Sequence, residues 1–354
     1  MHRVTRVALH GLLVNPPHRA TAVHLSSASL AVDSGVVSAR TASEVRLRLD
    51  VAYDGAGFAG WSRQPGLRTV QGELEAALAL VLREPEGSIR LTVAGRTDAG
   101  VHALGQVAHV DLSAEQWMLV QSTRRSEPHE QALGAEASLV RRLNGIAGRA
   151  ADLVVRDVAV APAAFDARFS ALWRRYEYRI ADAEAQRDPR RRGHTWWHTG
   201  ALDLEAMRAA SAPLTGLHDF AAFCKPREGA TTIRTLHDYE WRRDDDGVLI
   251  ATVRADAFCH SMVRALVGAA VAVGLGRLDA GRLVDIRDDA TRTNDFPVAS
   301  AHGLTLVEVG YPAVEQFAAR AEQTRARRDA ERAEDTERAR GREAAQIDPL
   351  ASVD

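Results

Sequence analysis

From Val45 onward, hydrophobic and polar residues alternate. Val-Arg-Leu-Arg-Leu-Asp-Val-Ala-Tyr, residues 45 to 53, puts an apolar side chain at nearly every second position, the period of a half-buried strand. Asp54-Gly55 and Gly57 then read as a turn, followed by Phe58 and Trp61. At Thr69 the period changes. Thr69 suits a helix N-cap, and Val70, Leu74, Ala77, Leu78 and Val81 share one face of a helix running to about Arg83. Further strands are predicted at 89–93, 106–111, 153–160, 171–180 and 304–309, with a hairpin pairing 235–241 and 248–253 across Asp244-Asp245-Asp246-Gly247. Helical patterns occupy about 135–143, 203–210, 260–275 and 279–286. The polar stretch from about Leu112 to Gly134 reads as an inserted loop.

Hairpins with helices between them, and few βαβ units, predict an α+β fold with a mostly antiparallel mixed sheet flanked by helices. Residues 45–161 and 162–312 have similar content, strands plus one long helix each, which suggests two pseudosymmetric halves of a catalytic region. Residues 1–44 show weak periodicity, include Pro16-Pro17, and are expected to be a poorly ordered extension. The tail, 313–354, is rich in Ala, Glu, Arg and Gln and is expected to be a frayed, solvated helix or disordered.

Composition narrows the picture modestly. At 354 residues, 46% hydrophobic and with a formal net charge of -2, the chain does not coat nucleic acid by sheer charge. Local clusters do exist at Arg124-Arg125, Arg141-Arg142, Arg174-Arg175 and Arg190-Arg191-Arg192, and Lys225 is the sole lysine. Arginine forks onto phosphate and stacks on bases, although a GC-rich coding sequence produces the same bias. Cys224 and Cys259 match no metal spacing and are expected to be separate free thiols in a reducing cytoplasm. The histidines are scattered and predict no metal site. The apolar run from Ala265 to Leu275 is too short to span a bilayer, and no secretory pattern opens the chain. A cytoplasmic protein is the expectation.

Candidate chemistry centres on Gly95-Arg96-Thr97-Asp98-Ala99-Gly100-Val101-His102, directly after the apolar run that ends at Val93. A strand followed by this loop puts Asp98 at a tight, exposed position on a rigid element, where catalytic side chains tend to sit. Asp and Gly also make ordinary turns, so the loop alone does not decide. The company it keeps is more telling: Phe-Asp-Ala-Arg-Phe-Ser-Ala (165 to 171), Arg-Arg-Tyr (174 to 176), Met-Val-Arg (262 to 264) and Gly-Leu-Thr-Leu (303 to 306) follow in order. Tyr-Asp-Gly (53 to 55), Gly-Trp (60 to 61) and Val-Gln (70 to 71) precede it.

Over about residues 45 to 312 this ordered set resembles the tRNA pseudouridine synthase A family. The resemblance implies the pseudouridine synthase fold and conversion of uridine to pseudouridine at nucleotides 38 to 40 of the tRNA anticodon stem-loop. It also implies a homodimer gripping tRNA in basic clefts. The reaction admits no electrons and loses no group, so it needs no metal, nicotinamide or ATP. It does need a nucleophile that is also a good leaving group, and a carboxylate meets that need. Asp98 is the candidate; attack at C6 or at C1′ stays open.

By the resemblance, Arg264 is the ion-pair partner of Asp98, opposing the desolvation that disfavours a buried charge. On pattern alone an arginine among Val263, Ala265 and Leu266 could equally snorkel outward. The target base must leave its stack. Arg96 is implied to fill the vacated space or hold the flipped phosphate. Tyr176 is implied to stack on the uracil and is suspected of taking the C5 proton, with an ordinary strand aromatic as the alternative. Arg168 either holds a phosphate or braces Asp166. Leu304 lines the uracil pocket or is plain core, and Arg174 and Arg175 read as a solvated face. The chain departs from the family after Leu143-Asn144, where Ile146-Ala147-Gly148 replace the usual Leu-Pro. Two other readings stand beside this one. A non-catalytic tRNA-binding module of the same fold would be expected to lose Asp98 or Tyr176. An aspartate-dependent hydrolase with Asp-Thr/Ser-Gly motifs needs a second such carboxylate, which the sequence lacks.

Overall fold

Val45–Tyr53 (β1) buries Leu47, Leu49 and Val51 completely, as its alternation demands. In this computed structural model residues 44–122, 134–227, 231–327 and 329 are described. The extension ahead of Glu44, the Arg124-Arg125 pair and the end of the tail lie outside them. Among the described residues, ten strands form one sheet in the order β4-β1-β3-β10-β5-β9-β8-β7, with β2 beside β3 and β6 beside β5. These are Thr92–Val93 (β2), His102–Leu112 (β3), Leu153–Ala161 (β4), Trp173–Ala181 (β5) and Trp196–Trp197 (β6). Gly216–Asp219 (β7), Ile233–Arg243 (β8), Leu249–Ala255 (β9) and Leu304–Gly310 (β10) complete the sheet. Most neighbours run antiparallel, but β3 and β10 pair in parallel at the sheet's centre, with Thr305 opposite His102 and Leu306 opposite Ala103. The α+β class with a mixed sheet is therefore observed.

Gly105 explains why β3 and β10 meet so closely, because a Cβ there would lie 2.3 Å from the Val307 carbonyl oxygen. Six α-helices flank the sheet among the described residues: Val70–Leu82 (α1), Ala114–Ser122 (α2), Ala135–Ala147 (α3), Leu204–Ser211 (α4), Met262–Gly274 (α5) and Arg282–Asp289 (α6). Thr69 caps α1, accepting from the Gly72 N–H as its sequence position suggests. In α5 every residue is buried except Arg264. Gly268 lets this helix approach the 297–299 segment, since a Cβ would fall 2.0 Å from the Pro297 oxygen.

Three expectations change. The strand forecast over 89–93 shrinks to Thr92–Val93, because the Leu91 N–H donates to the buried carboxylate of Glu75 (2.9 Å) rather than to a neighbouring strand. The inserted loop begins with a helix, α2. Ser113 and Gln116 form a reciprocal capping box at its start, with Ser113 Oγ accepting from the Gln116 N–H and Gln116 Oε1 accepting from the Ser113 N–H. The remainder of that stretch, 123–133, lies outside the described residues. The tail is helical over 317–327 as one of its readings held, but its start is not solvated. Phe317 is buried against Phe165, with ring centroids 5.2 Å apart, and Arg325 pairs with Asp166 at 2.8 Å.

Where the chain departs from Leu-Pro, α3 continues to Ala147. Asn144 both donates to and accepts from the Val155 backbone at 2.8 Å, and so ties the helix end to β4. Among the described residues, no helix is long and apolar enough to cross a membrane.

Candidate active site

The loop between β2 and β3 is held from several sides before any functional group is considered. Gln106, fully buried on β3, donates to the Gly95 carbonyl (2.8 Å) and to the Tyr53 hydroxyl (3.2 Å). The Tyr53 hydroxyl meets Thr97 Oγ1 at 2.8 Å. The Trp61 N–H donates to Thr97 O (3.0 Å), and the Val101 N–H closes the turn onto Asp98 O (3.2 Å). Gly60 makes that contact feasible, with a φ of +91° and no Cβ to strike Thr97 O 2.9 Å away. The Tyr-Asp-Gly and Gly-Trp motifs therefore act as the cradle of the Asp98 loop. Burial pushes the Tyr53 phenol up to about 12, with its bonds to Thr97 and Gln106 working in the opposite direction.

On this cradle the Asp98 side chain stays 29% exposed, and three groups from the start of α5 converge on it. Arg264 Nη1 lies 3.6 Å from Oδ2, Ser261 Oγ donates toward Oδ2 at 3.4 Å, and His260 Nε2 lies 3.6 Å from Oδ1. Arg264 does not snorkel. Its Nε donates to the Ala299 carbonyl at 2.7 Å, and its terminal nitrogen reaches the carboxylate. Ser261 sits in the left-handed region (φ 65°), a conformation costly for a residue with a Cβ. That turn aims residues 260 and 261 back at the loop. The 299–303 segment closes the neighbouring wall, with Ala301 Cβ 3.3 Å from where a Cβ on Gly100 would stand.

Tyr176 on β5 is buried, its ring edge-on to Phe258 with centroids 5.1 Å apart. Burial first, then the charges of Tyr53 and Asp98, push its phenol well above the usual tyrosine range, while Arg174 pulls the other way. The phenol is thereby kept protonated next to the carboxylate. Arg96 is exposed at the loop's edge. Desolvation and then the like charge of Arg227 lower its pKa, although a guanidinium keeps its proton at any ordinary pH. Leu304 is buried at the start of β10, paired with Tyr178, directly after the wall that faces Asp98. Arg168 is exposed on the 165–171 segment. Its guanidinium covers the Phe169 ring (5.2 Å), while Asp166 accepts from the backbone N–H groups of 168 and 169 and pairs with Arg325.

Pattern reading missed two groups. Arg174 is not on a solvated face: it is buried and donates to the carbonyls of Ala94 (2.7 Å), Arg168 (2.9 Å) and Asp256 (2.7 Å). It thus joins the Asp98 loop, the 165–171 motif and the approach to α5. Burial lowers its pKa without discharging it. Arg175, pointing the other way on the same strand, does pair at the surface with Glu308 (2.9 Å). The second group is His260 with Ser261. A histidine four residues before Arg264 is the spacing that puts two side chains on one side of a helical turn, and this was legible.

The cysteines correct another expectation. Cys224 and Cys259 are joined as a disulfide, with Cα atoms 5.8 Å apart, a separation typical of such bridges. Sequence distance hid this, because the β8–β9 hairpin between them leads the chain back to its starting side. The bridge lies beside the site: Lys225 donates its N–H to the His260 carbonyl at 2.9 Å. Among the described residues, no group of three or more His, Cys, Asp or Glu side chains is arranged to hold a metal ion.

A carboxylate carried on an over-determined loop, flanked by arginine, serine and histidine, half-open to solvent and beside a protonated phenol, is suited to nucleophilic attack on a planar, electron-poor ring. A family model described as tRNA pseudouridine synthase matches residues 210–312. A tRNA pseudouridine synthase A from Leifsonia xyli subsp. xyli is 58% identical over 285 residues, 80% of this chain and 98% of that protein. This chain belongs to the tRNA pseudouridine synthase A family.

With that family it is an isomerase. Relatives of the same name from Frankia casuarinae (54% identical over 282 residues, 80% of this chain and 95% of that one) and Streptomyces griseus subsp. griseus (53% over 283 residues, 79% and 93%) match nearly as well. Among solved structures, the crystal structure of the archaeal box H/ACA sRNP Nop10-Cbf5 complex aligns over 64% of this chain and 44% of that chain at 12% identity. Its TM-score of 0.27 is too low to bear on the fold.

Proposed function

We propose that this chain isomerises uridine to pseudouridine in the anticodon stem-loop of tRNA, at nucleotides 38 to 40, with Asp98 as nucleophile and the target base flipped from its stack. The observation that carries this reading is the convergence of Arg264, His260 and Ser261 on a partly exposed Asp98 carboxylate, 3.4–3.6 Å away. Arg264 stabilises the negative charge before attack and after the adduct breaks, so the carboxylate serves as nucleophile and as leaving group. Tyr176 offers its face to the uracil, a stacking contact worth about 1–3 kcal/mol. Arg96, exposed beside Arg227, provides positive charge where a displaced phosphate would lie. Leu304 borders the apolar side of the pocket, and Arg168 contributes at the rim through a phosphate contact. The chain needs no cofactor for this chemistry, works as a homodimer on one tRNA, and does so in the cytoplasm.

The decisive test replaces the nucleophile. Asp98→Asn should bind unmodified tRNA as the parent does and form no pseudouridine when products are mapped at nucleotide resolution without added cofactors. Product from Asp98→Asn would remove Asp98 from this role. A parent protein that binds tRNA but modifies nothing would instead favour the non-catalytic module.

A further inference from the structure

The isomerisation leaves one proton to be moved. Uridine carries hydrogen on C5 and none on N1, whereas pseudouridine carries it on N1 and none on C5. A carboxylate nucleophile does not by itself perform that transfer. To act as a base Tyr176 would first have to give up its phenol proton, which burial and then the charges of Tyr53 and Asp98 hold in place. The candidate base must instead be a group open to the cleft, next to the reacting oxygen, that exchanges protons near neutral pH.

His260 meets the first two of these conditions by geometry. Its Nε2 is 3.6 Å from Asp98 Oδ1, and its side chain is 43% exposed. The two carboxylate oxygens are divided: Oδ2 faces Arg264 and Ser261, and Oδ1 faces His260. A ring attacked by Oδ1 therefore lies against the imidazole, since reacting atoms approach to about 3–3.5 Å. The backbone under the imidazole is fixed on both sides. Cys259 is bridged to Cys224, the His260 carbonyl accepts from Lys225, and Ser261 holds the left-handed turn. The ring itself remains free to turn between a substrate atom and solvent. Imidazole is the side chain suited to take and return a proton near pH 7.

Resting on the reading of Asp98 as nucleophile, we propose that His260 is the proton-transfer group of this reaction. Once the N1–C1′ bond has broken, C5 has joined C1′ and Asp98 has left as its carboxylate, the ring is neutral with an N1=C6 double bond, and C5 carries both its hydrogen and the new bond. The neutral Nε2 lone pair takes that hydrogen as a proton, and the C–H electron pair re-forms the ring double bond, leaving negative charge on N1. The imidazolium then returns its proton to N1, so protons and electrons balance with no co-reactant.

The test compares the parent, His260→Gln and His260→Ala on unmodified tRNA carrying either ordinary or C5-deuterated uridine. His260→Gln should bind tRNA unchanged and turn over about 10²-fold more slowly, the lower range for a lost general acid–base group. Its rate should become sensitive to deuterium at C5, and free imidazole should restore part of the His260→Ala rate. Near-parental turnover in His260→Gln would overturn the assignment. So would a slowed variant with no isotope effect and no imidazole rescue, since a residue that merely positions Asp98 gives that pattern. Asp98→Asn separates the two claims: product from that variant refutes the nucleophile, whereas loss of product there, with His260→Gln indifferent to deuterium, refutes His260 alone.

Discussion

Replacing Arg174 with methionine removes a guanidinium but keeps a side chain of similar reach in the same buried slot. In the native protein that guanidinium serves three carbonyls, those of Ala94, Arg168 and Asp256, at 2.7–2.9 Å. Of the three bonds only that to Ala94 is fully buried, those to Arg168 and Asp256 being part-buried, so losing the donor costs about 1–3 kcal/mol at Ala94 and about 0.5–1.5 kcal/mol at each of the other two, where water can substitute. Allowing for partial relaxation, the loss comes to about 2–4 kcal/mol, a sizeable share of the roughly 5–15 kcal/mol that stabilises a folded domain. Lysine keeps the charge but is a point donor that cannot span three acceptors in a plane, so Arg174→Lys should fall between the two. Urea unfolding followed by tryptophan fluorescence measures this, with the midpoint and slope reported separately. Because Ala94 leads into the Asp98 loop, the catalytic rate of Arg174→Lys should drop more than its tRNA affinity. An Arg174→Met protein within about 1 kcal/mol of the parent would show that the three bonds contribute little, and would refute the view of Arg174 as the tie between the Asp98 loop and α5.

Other expectations are narrower. The Arg190-Arg191-Arg192 cluster is partly cancelled in the folded chain, with Arg190 on Asp188 (2.9 Å) and Arg191 on Asp246 (3.1 Å). Replacing all three with alanine should therefore flatten the salt dependence of tRNA binding by less than three phosphate contacts' worth, each about 0.7–0.9 in log–log slope; a full three-contact change would refute this. Burial holds the folded Tyr53 phenol near 12 against the ordinary 10.0 of a tyrosine, so its contribution to stability is present below pH 10 and is lost as pH rises toward 12. Relative to Tyr53→Phe, the parent should lose about 2–3 kcal/mol across that window in unfolding experiments, and a parallel pH response of the two would contradict it. The Cys224–Cys259 bridge should leave no thiol reactive in the denatured, unreduced protein, and reduction should lower unfolding free energy by about 2–4 kcal/mol. Two reactive thiols before reduction would dismiss the bridge.

Much was decided locally and could be read without coordinates. The alternation of Leu47, Leu49 and Val51 dictates a strand, because side chains on a pleated backbone face opposite sides in turn. Thr69 before a 3.6-residue apolar period dictates where α1 starts, and the Ser113-x-x-Gln116 box did the same for α2 although the polar stretch around it concealed the signal. The loop bearing Asp98 was legible because its glycines and its preceding strand are neighbours in the chain. What the sequence could not determine were the pairings made between distant segments. The parallel contact of β3 with β10 requires Gly105 to meet Val307, more than two hundred residues away. The burial of Arg174 depends on three carbonyls from three separate loops, and a strand pattern shows alternation without showing which face is covered. The meeting of Cys224 with Cys259 follows from a hairpin's return, not from their spacing. The placing of His260 and Ser261 on Asp98 follows from one left-handed residue at the head of α5. Backbone propensity and periodicity act over a few residues and leave their mark in composition, whereas the environment of a carboxylate such as Asp98 is assembled by packing, and packing is decided only when the whole sheet has formed.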